Sequence, residues 1–130
     1  MNRPMPTKRV LVVDDNEHVA KIMGEFLSPA YNVELATNVD IALEAIRMKV
    51  PDLILLDIHM PGTDGLTMLG SLRQLGIRVP VIIMTGYDSP EAAAEAKRTG
   101  ATSYLVKPVD LRQLDKVISK VVGAPRLVKD

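Results

Sequence analysis

The amino-acid sequence predicts an α/β fold in which helices cover both faces of a parallel five-stranded sheet. Three short apolar runs, Val10–Val13, Leu53–Leu56 and Val81–Met84, lack alternating polar residues and are typical of strands buried on both faces. Two weaker runs, Tyr31–Ala36 and Ser103–Val106, suit strands nearer the sheet edges. Helical patterns separate these runs, and this alternation indicates crossovers that place helices on both faces. A chain of 130 residues has room for one such domain.

Two helices are expected in the first half of the chain. The first has an apolar stripe at helical spacing, formed by Val19, Ile22, Met23 and Phe26. The second follows the capping-box pattern Thr37-x-x-Asp40, which predicts a helix start just ahead of further apolar residues. Those apolar residues are Ile41, Leu43, Ala45 and Ile46.

Three more helices are expected in the second half. The third is marked by Leu66, Leu69 and Leu72. The fourth begins at Ser89-Pro90, where a capping hydroxyl precedes a proline at the first helical position, and runs to Lys97. Asp110 can cap the last helix, and Gly100 and Gly123 stand where helix-terminating glycines are expected. The inward-facing residues of the last helix are Leu111, Leu114, Val117, Ile118 and Val121.

The composition excludes several classes of function. Lys+Arg and Asp+Glu each number 16, and this balance argues against bulk electrostatic binding of nucleic acid or anionic lipid. The absence of cysteine excludes disulfides, thiol chemistry and zinc–thiolate sites. No secretory signal opens the chain, and no apolar run approaches the roughly 20 residues of a membrane-spanning helix. We therefore expect a cytoplasmic domain.

Charged and polar side chains follow the predicted strands at their carboxyl ends. Asp14 and Asp15 follow the first strand, and Asp57, Thr85 and Lys107 follow the third, fourth and fifth. In doubly wound sheets ligands bind beyond these ends, so the five residues should converge, although each alone is explained as a polar cap. Three carboxylates within about 5 Å would repel by roughly 3 kcal/mol per pair at an effective dielectric of 20. Hard oxygen ligands without a His or Cys set favour Mg²⁺ as the cation that offsets this repulsion.

The sequence resembles the receiver domain of bacterial two-component response regulators. The resemblance covers residues 8–122 and rests on six motifs in order, each weak alone and specific together. They are Val12-Val13-Asp14-Asp15-Asn16, Leu55-Leu56-Asp57-Ile58-His59-Met60-Pro61, Asp64-Gly65, Met84-Thr85-Gly86, Gly100-Ala101 and Tyr104-Leu105-Val106-Lys107-Pro108. The resemblance implies a flavodoxin-like, doubly wound sheet in the order 2-1-3-4-5 with five helices. Residues 1–7 are then expected to be a flexible N-terminus, and residues 123–130 a tail or the start of a linker.

The resemblance also implies a phosphoryl-transfer site. Asp57 would accept a phosphoryl group from a histidine kinase or a histidine phosphotransfer protein. Asp15 and Asp57 would bind Mg²⁺ directly, and Asp14 would do so through a water molecule. The backbone carbonyl of His59, not its imidazole, would complete the protein ligands. Such a domain is a signalling switch that catalyses only its own phosphorylation and dephosphorylation, and is not otherwise an enzyme.

The resemblance gives roles to residues around the acceptor as well. Lys107 would offset charge on the phosphoryl oxygens, and Thr85 would donate a hydrogen bond to one of them. Tyr104 would turn into the space that Thr85 vacates, and the Lys107–Pro108 peptide would be cis. Two rings, His59 and Tyr87, would shield the phosphoryl group from the hydrolytic water.

The implied partners, besides the phosphodonor, are an output domain or a downstream protein. A homodimer through the fourth helix, fifth strand and fifth helix is also possible, whereas direct binding to nucleic acid or a membrane is not expected. Three alternatives compete: a receiver-like docking module without chemistry, a haloacid-dehalogenase-type phosphatase, and a flavin-binding flavodoxin. Such a phosphatase would carry a second Asp where His59 stands. A flavodoxin would need a phosphate-binding loop, which the sequence lacks.

Overall fold

The computed structural model describes residues 8–60 and 64–128, in which five strands alternate with five helices. The strands are β1 (Arg9–Val13), β2 (Asn32–Ala36), β3 (Leu53–Asp57), β4 (Val81–Thr85) and β5 (Ser103–Val106). The helices are α1 (Glu17–Leu27), α2 (Val39–Met48), α3 (Gly65–Gln74), α4 (Pro90–Thr99) and α5 (Leu111–Val122). The N-terminus predicted to be flexible, residues 1–7, lies outside the described residues.

All strand pairs are parallel, and the sheet order is β2-β1-β3-β4-β5, which confirms the flavodoxin-like topology. The register sets the carboxyl ends of the inner strands nearly level. Val13 pairs with Leu56, and Asp57 pairs with Met84. Because Thr85 pairs with Val106, the residue that follows β5 comes to the same edge of the sheet. The topology therefore gathers the polar residues that end these strands.

Two hydrophobic cores cover the two faces of the sheet, because side chains alternate along each strand. Leu11 and Leu56 point into the core formed with α2, α3 and α4. Val12 and Leu55 point into the core formed with α1 and α5. β3 and β4 are thus buried at every position and apolar up to their last residues, Asp57 and Thr85, as their sequences predict. No helix in the described part of the chain is long and apolar enough to cross a membrane.

The helix caps agree with the sequence at four positions and differ at one. Ser89 and Asp110 cap α4 and α5, and Gly100 and Gly123 end them in left-handed conformation. The predicted capping box of α2 is wrong. Asn38 is the cap instead, and its side chain accepts the backbone N–H of Ile41 at 2.8 Å. Since α2 begins at Val39, the favourable cap falls one residue past Thr37.

The apolar stripe of α1 is also rotated from its predicted position. The buried residues of α1 are Ala20, Met23, Gly24 and Leu27. Ile22 was expected to face inward but is 42% exposed. Gly24 brings the helix close to β2, since a Cβ there would lie 3.3 Å from the Leu35 side chain. The close approach at Gly24 turns this arc of the helix toward the sheet and leaves Ile22 at its margin.

The segment after α5 folds back along the domain. Asp115 of α5 is buried, and its carboxylate accepts the backbone N–H groups of Leu127 at 2.8 Å and Val128 at 2.9 Å. Arg126 adds an ion pair with the same carboxylate at 3.2 Å. The Leu127 side chain packs against the core on the α1 and α5 side of the sheet. The predicted tail is therefore held against α5 through residue 128.

Candidate functional site

Three carboxylates meet at the carboxyl edge of the sheet. Asp57 is the last residue of β3 and is 1% exposed, and Asp14 directly follows β1 and is fully buried, whereas Asp15 is exposed. One oxygen of each carboxylate lies within 4.8 Å of the others. Asp14 Oδ1 accepts the backbone N–H of Asn16 at 2.9 Å. Asp14 Oδ2 is buried without a hydrogen-bond partner in the described part of the chain.

Lys107 brings one positive charge to this cluster. Its Nζ lies 2.8 Å from Asp57 Oδ2 and 3.7 Å from Asp14 Oδ2. Lys107 follows β5, where its backbone N–H donates to the Thr85 carbonyl at 2.6 Å. The Lys107–Pro108 peptide is cis. Because Lys107 follows β5 at the same carboxyl edge of the sheet, its side chain reaches the two buried carboxylates.

Burial and neighbouring charges shift the pKa values of Asp14 and Lys107. Burial raises the pKa of Asp14, and the charge of Asp57 raises it further against the opposing effects of the Asn16 amide and Lys107. Burial alone lowers the pKa of Lys107, but its hydrogen bond to Asp57 and the charges of the acidic cluster raise it overall. Lys107 is therefore protonated near neutral pH. One ammonium faces three carboxylates, and this oxygen-rich, negatively charged set fits a divalent cation such as Mg²⁺.

His59 contacts two members of the site through different atoms. Its backbone N–H donates to Asp57 Oδ1 at 3.0 Å, and its Nε2 lies 2.7 Å from Thr85 Oγ1. The imidazole packs edge-on against the ring of Tyr87, with centroids 4.7 Å apart and planes at 82°. Tyr87 is 65% exposed. The two rings predicted to shield the site thus lie together at its solvent edge.

Thr85 and Tyr104 both contact the loop after β4. Thr85 is fully buried, and its Oγ1 accepts the backbone N–H of Tyr87 at 3.1 Å. The Tyr104 hydroxyl donates to the carbonyl of Tyr87. Among the hydrogen bonds of the described residues, Thr85 Oγ1 joins His59 and Tyr87 but not Asp57. Strand order predicts that Thr85 lies near the acceptor. The hydrogen bond between the Thr85 hydroxyl and His59 was not predicted.

A glycine lets α3 begin close to the acceptor strand. A Cβ on Gly65 would lie 2.8 Å from Ile58 Cα and 2.9 Å from the Asp57 carbonyl oxygen. The backbone at these positions cannot yield as the end of a flexible side chain can. Asp64 caps the same helix by accepting the Leu66 N–H at 2.9 Å. The start of α3 is therefore held against the end of β3.

Comparisons with known proteins agree with this geometry. A family model described as the response regulator receiver domain matches residues 10–119. The transcriptional regulatory protein ZraR of Escherichia coli (strain K12) is 40% identical over 115 residues, which cover 88% of this chain and 26% of ZraR. The regulatory protein AtoC of the same strain is 35% identical over 123 residues, which cover 94% of this chain and 27% of AtoC. The chain thus spans about a quarter of the length of these relatives.

Solved structures share the fold over nearly the whole described chain. The receiver domain of the Francisella response regulator 1452 superposes with a TM-score of 0.85 at 30% identity. That superposition covers 90% of this chain and 98% of the Francisella chain. Sequence motifs, sheet order, site geometry and relatives all point the same way, and the chain belongs to the response regulator receiver domain family.

Proposed function

We propose that Asp57 accepts a phosphoryl group from a histidine kinase or a histidine phosphotransfer protein. The observation that carries this proposal is the hydrogen bonding of the buried Asp57 carboxylate. Lys107 Nζ lies 2.8 Å from one oxygen, and the His59 N–H donates to the other at 3.0 Å. In the reaction a carboxylate oxygen attacks the phosphorus, and the bond from phosphorus to the donor's imidazole nitrogen breaks. The electron pair of that bond stays on the departing nitrogen.

A Mg²⁺ ion is the cofactor that suits this edge of the sheet. The residues that would hold it are Asp15 and Asp57 directly, Asp14 through a water molecule, and the backbone carbonyl of His59. When bound, the ion supplies positive charge beside the phosphoryl oxygens. Support comes from the three carboxylate oxygens within 4.8 Å and from the buried Asp14 Oδ2 that lacks a hydrogen-bond partner in the described residues.

Lys107 and Thr85 are the protein groups that offset charge on the phosphoryl oxygens. The raised pKa of Lys107 keeps its ammonium charged, and its position 2.8 Å from Asp57 Oδ2 places that charge beside the acceptor. Thr85 is the last residue of the neighbouring strand β4, and its hydroxyl can donate one hydrogen bond. Donors fixed in a buried site stabilise developing charge more than they would in water.

The phosphorylated domain signals to an output domain or a downstream protein, and we place this activity in the cytoplasm. ZraR is named as a transcriptional regulatory protein, and the match to this chain covers 26% of its length. The contact between Tyr104 of β5 and the Tyr87 carbonyl connects the loop beside the site to the face formed by α4, β5 and α5. That face is the surface through which a homodimer would form. The domain acts on its own carboxylate and is a switch, not an enzyme that turns over a separate substrate.

Phosphorylation by a small phosphodonor tests the acceptor. Incubated with Mg²⁺ and acetyl phosphate, the protein should gain one phosphoryl group, detected by intact-protein mass spectrometry. Asp57→Asn should lose this gain, because an amide is not a competent nucleophile. The matched control is Asp88→Asn, which changes an exposed carboxylate in the loop after β4 and should leave the gain intact. Phosphorylation that persists at full yield in Asp57→Asn would refute the assignment of Asp57 as the acceptor.

A further inference from the structure

The Thr85 hydroxyl has two hydrogen-bond partners among the described residues. The backbone N–H of Tyr87 donates to it at 3.1 Å, and His59 Nε2 lies 2.7 Å away. Thr85 is fully buried, so water does not supply further partners in this state. The hydrogen bond between the imidazole and the hydroxyl joins residues 26 positions apart and is the shorter of the two.

The direction of that hydrogen bond follows from the capacity of each group. A hydroxyl has one proton to donate and two lone pairs that accept, whereas a backbone N–H can only donate. The Tyr87 N–H therefore uses a lone pair of Thr85 Oγ1. Among the described residues, His59 Nε2 is the remaining partner that can take the hydroxyl proton, and a buried hydroxyl without an acceptor would incur a desolvation penalty. On this count Thr85 donates and Nε2 accepts, and the tautomer that fits carries the imidazole proton on Nδ1.

We propose that the His59 imidazole is a latch that holds the Thr85 hydroxyl away from Asp57 until the site is phosphorylated. This inference rests on the proposed function, in which the same hydroxyl donates to a phosphoryl oxygen on Asp57. One proton cannot serve both acceptors, so the switched state must break the bond between Thr85 and His59. In this latch His59 is a positioning residue, because its ring sets where the Thr85 hydroxyl lies.

Two further contacts keep the latch in place. The His59 backbone N–H donates to Asp57 Oδ1, and the imidazole packs edge-on against the Tyr87 ring. Tyr87 itself donates its N–H to Thr85 and accepts the Tyr104 hydroxyl at its carbonyl. When the Thr85 hydroxyl leaves His59, the loop that carries Tyr87 loses one of its fixed points. The latch therefore links the phosphoryl group to the position of Tyr104.

The latch biases the unphosphorylated protein toward its resting arrangement. A ligand shifts such an equilibrium only by its differential affinity for the two states. For a phosphoryl mimic that needs the minor state, the apparent affinity is the intrinsic affinity multiplied by the fraction of protein in that state. Removing the latch should raise that population about fivefold, which corresponds to about 1 kcal/mol, the ordinary net contribution of one hydrogen bond.

Beryllofluoride, a mimic of the phosphoryl group, provides the probe. The dissociation constant of beryllofluoride in the presence of Mg²⁺ is measured for wild type and His59→Phe. The substitution keeps an aromatic ring beside Tyr87 and the backbone carbonyl but removes the nitrogen acceptor. We expect a dissociation constant about fivefold lower than in wild type. In a Thr85→Val background the same substitution should change nothing, because no hydroxyl remains for His59 to hold.

Nitrogen NMR of the imidazole tests the latch without changing His59. In the unliganded wild type, Nδ1 should carry the proton and Nε2 should show the shift of an acceptor with a partner. Beryllofluoride should move the Nε2 resonance as the Thr85 hydroxyl departs. In Thr85→Val the Nε2 resonance should lack the signature of that partner from the start.

The outcomes separate the latch from the acceptor. Equal beryllofluoride affinity in wild type and His59→Phe would overturn the latch, as would a gain that persists undiminished in Thr85→Val. A protonated Nε2 in the unliganded wild type would overturn it too. Wild type that binds no beryllofluoride at all would instead refute the acceptor role of Asp57, and the latch with it.

Discussion

The buried Asp14 carboxylate destabilises the metal-free domain, and Asp14→Asn should relieve that cost. Asp14 is fully buried, and its Oδ2 has no hydrogen-bond partner in the described part of the chain. An asparagine oxygen can still accept the Asn16 N–H, which Asp14 Oδ1 accepts at 2.9 Å. The amide that replaces Oδ2 carries no charge. The substitution therefore keeps the local hydrogen bond and removes the electrostatic cost.

The stability change in Asp14→Asn depends on one favourable and two unfavourable contributions of the Asp14 carboxylate. At an effective dielectric of 20, attraction to Lys107 at 3.7 Å is about 4.5 kcal/mol, and repulsion from Asp57 at 4.8 Å or less is at least about 3.5 kcal/mol. These two contributions nearly cancel. Burial of a carboxylate oxygen that receives no hydrogen bond then decides the sign, at about 1–3 kcal/mol. We expect Asp14→Asn to be more stable than wild type without metal, by about 1–2 kcal/mol.

The pH dependence of this gain has a definite sign. Burial, assisted by the charge of Asp57, raises the folded-state pKa of Asp14 above its ordinary value. The folded protein therefore binds this proton more tightly, and wild-type stability falls as pH rises from about 4 through the raised pKa. The advantage of Asp14→Asn should be absent below that interval and complete above it.

Urea unfolding in EDTA and in excess MgCl₂, followed by circular dichroism, measures these free energies. Mg²⁺ should stabilise wild type by mass action and stabilise Asp14→Asn less. Asp15→Asn is the matched control, because Asp15 is exposed and removal of its better-screened charge should stabilise the metal-free domain only slightly. A metal-free Asp14→Asn protein that unfolds at lower urea than wild type at neutral pH would contradict the reasoning.

Three further predictions follow from contacts around the site and the tail. Tyr87→Ala should shorten the lifetime of the phosphorylated protein, measured by its decay after removal of the donor, whereas Tyr87→Phe should not; equal lifetimes would refute shielding. Asp115→Asn should lower the free energy of unfolding by about 1.5–3 kcal/mol. Burial acts to raise the pKa of Asp115, but hydrogen bonds from the tail amides and the contact with Arg126 lower it overall. The contribution of Asp115 to stability is therefore present above its unfolded-state pKa and is lost as pH falls through its folded-state pKa. An Asp115→Asn variant whose stability falls in acid as that of wild type does would contradict this prediction. Gly65→Ala should destabilise by about 1–3 kcal/mol through its contact with the Ile58 backbone, and an unchanged urea midpoint would show that the backbone yields.

The sheet and the residues at its edge were predictable because parallel topology leaves few alternatives. Continuous apolar runs such as those of β1, β3 and β4 must be covered on both faces, and this fixes their strands at the centre of the sheet. Once β1, β3, β4 and β5 lie side by side as parallel strands, the residues at their carboxyl ends must share one edge. The grouping of Asp14, Asp57 and Lys107 is therefore a consequence of strand order. It does not depend on side-chain detail.

The rotation of helices and the start of α2 were not predictable in the same way. A helix with apolar residues over a wide arc can bury several alternative stripes, and the choice in α1 depends on how closely Gly24 approaches Leu35. Ile22 is part of the sequence stripe but lies outside the buried one. At α2, Thr37 and Asn38 are both capping residues, and one residue of difference is below what a pattern can resolve.

The sequence does indicate that Asp115 of α5 is buried, but the apolar residues around it on the same helix face make this easy to overlook. Asp115 lies four residues after Leu111 and three before Ile118, so helical spacing places it on the inward face. A charge in that position requires a partner, because burial of an unpaired carboxylate is costly. Its partners are backbone amides and Arg126 of the tail, and a tail without periodicity gives no sign of where it returns.

The pairing of His59 with Thr85 could have been found from the register of the sheet. Ile54 pairs with Val81, an offset of 27 positions, and Asp57 pairs with Met84 at the same offset. Extended past the strand ends, this offset brings residue 59 beside the residues that follow Thr85. Position alone, however, leaves open whether the imidazole faces solvent, the metal ligands or the hydroxyl. The orientation of the imidazole depends on the hydrogen bonds that the Thr85 hydroxyl can make. The Tyr87 amide already donates to one lone pair of the hydroxyl, and the hydroxyl proton still needs an acceptor.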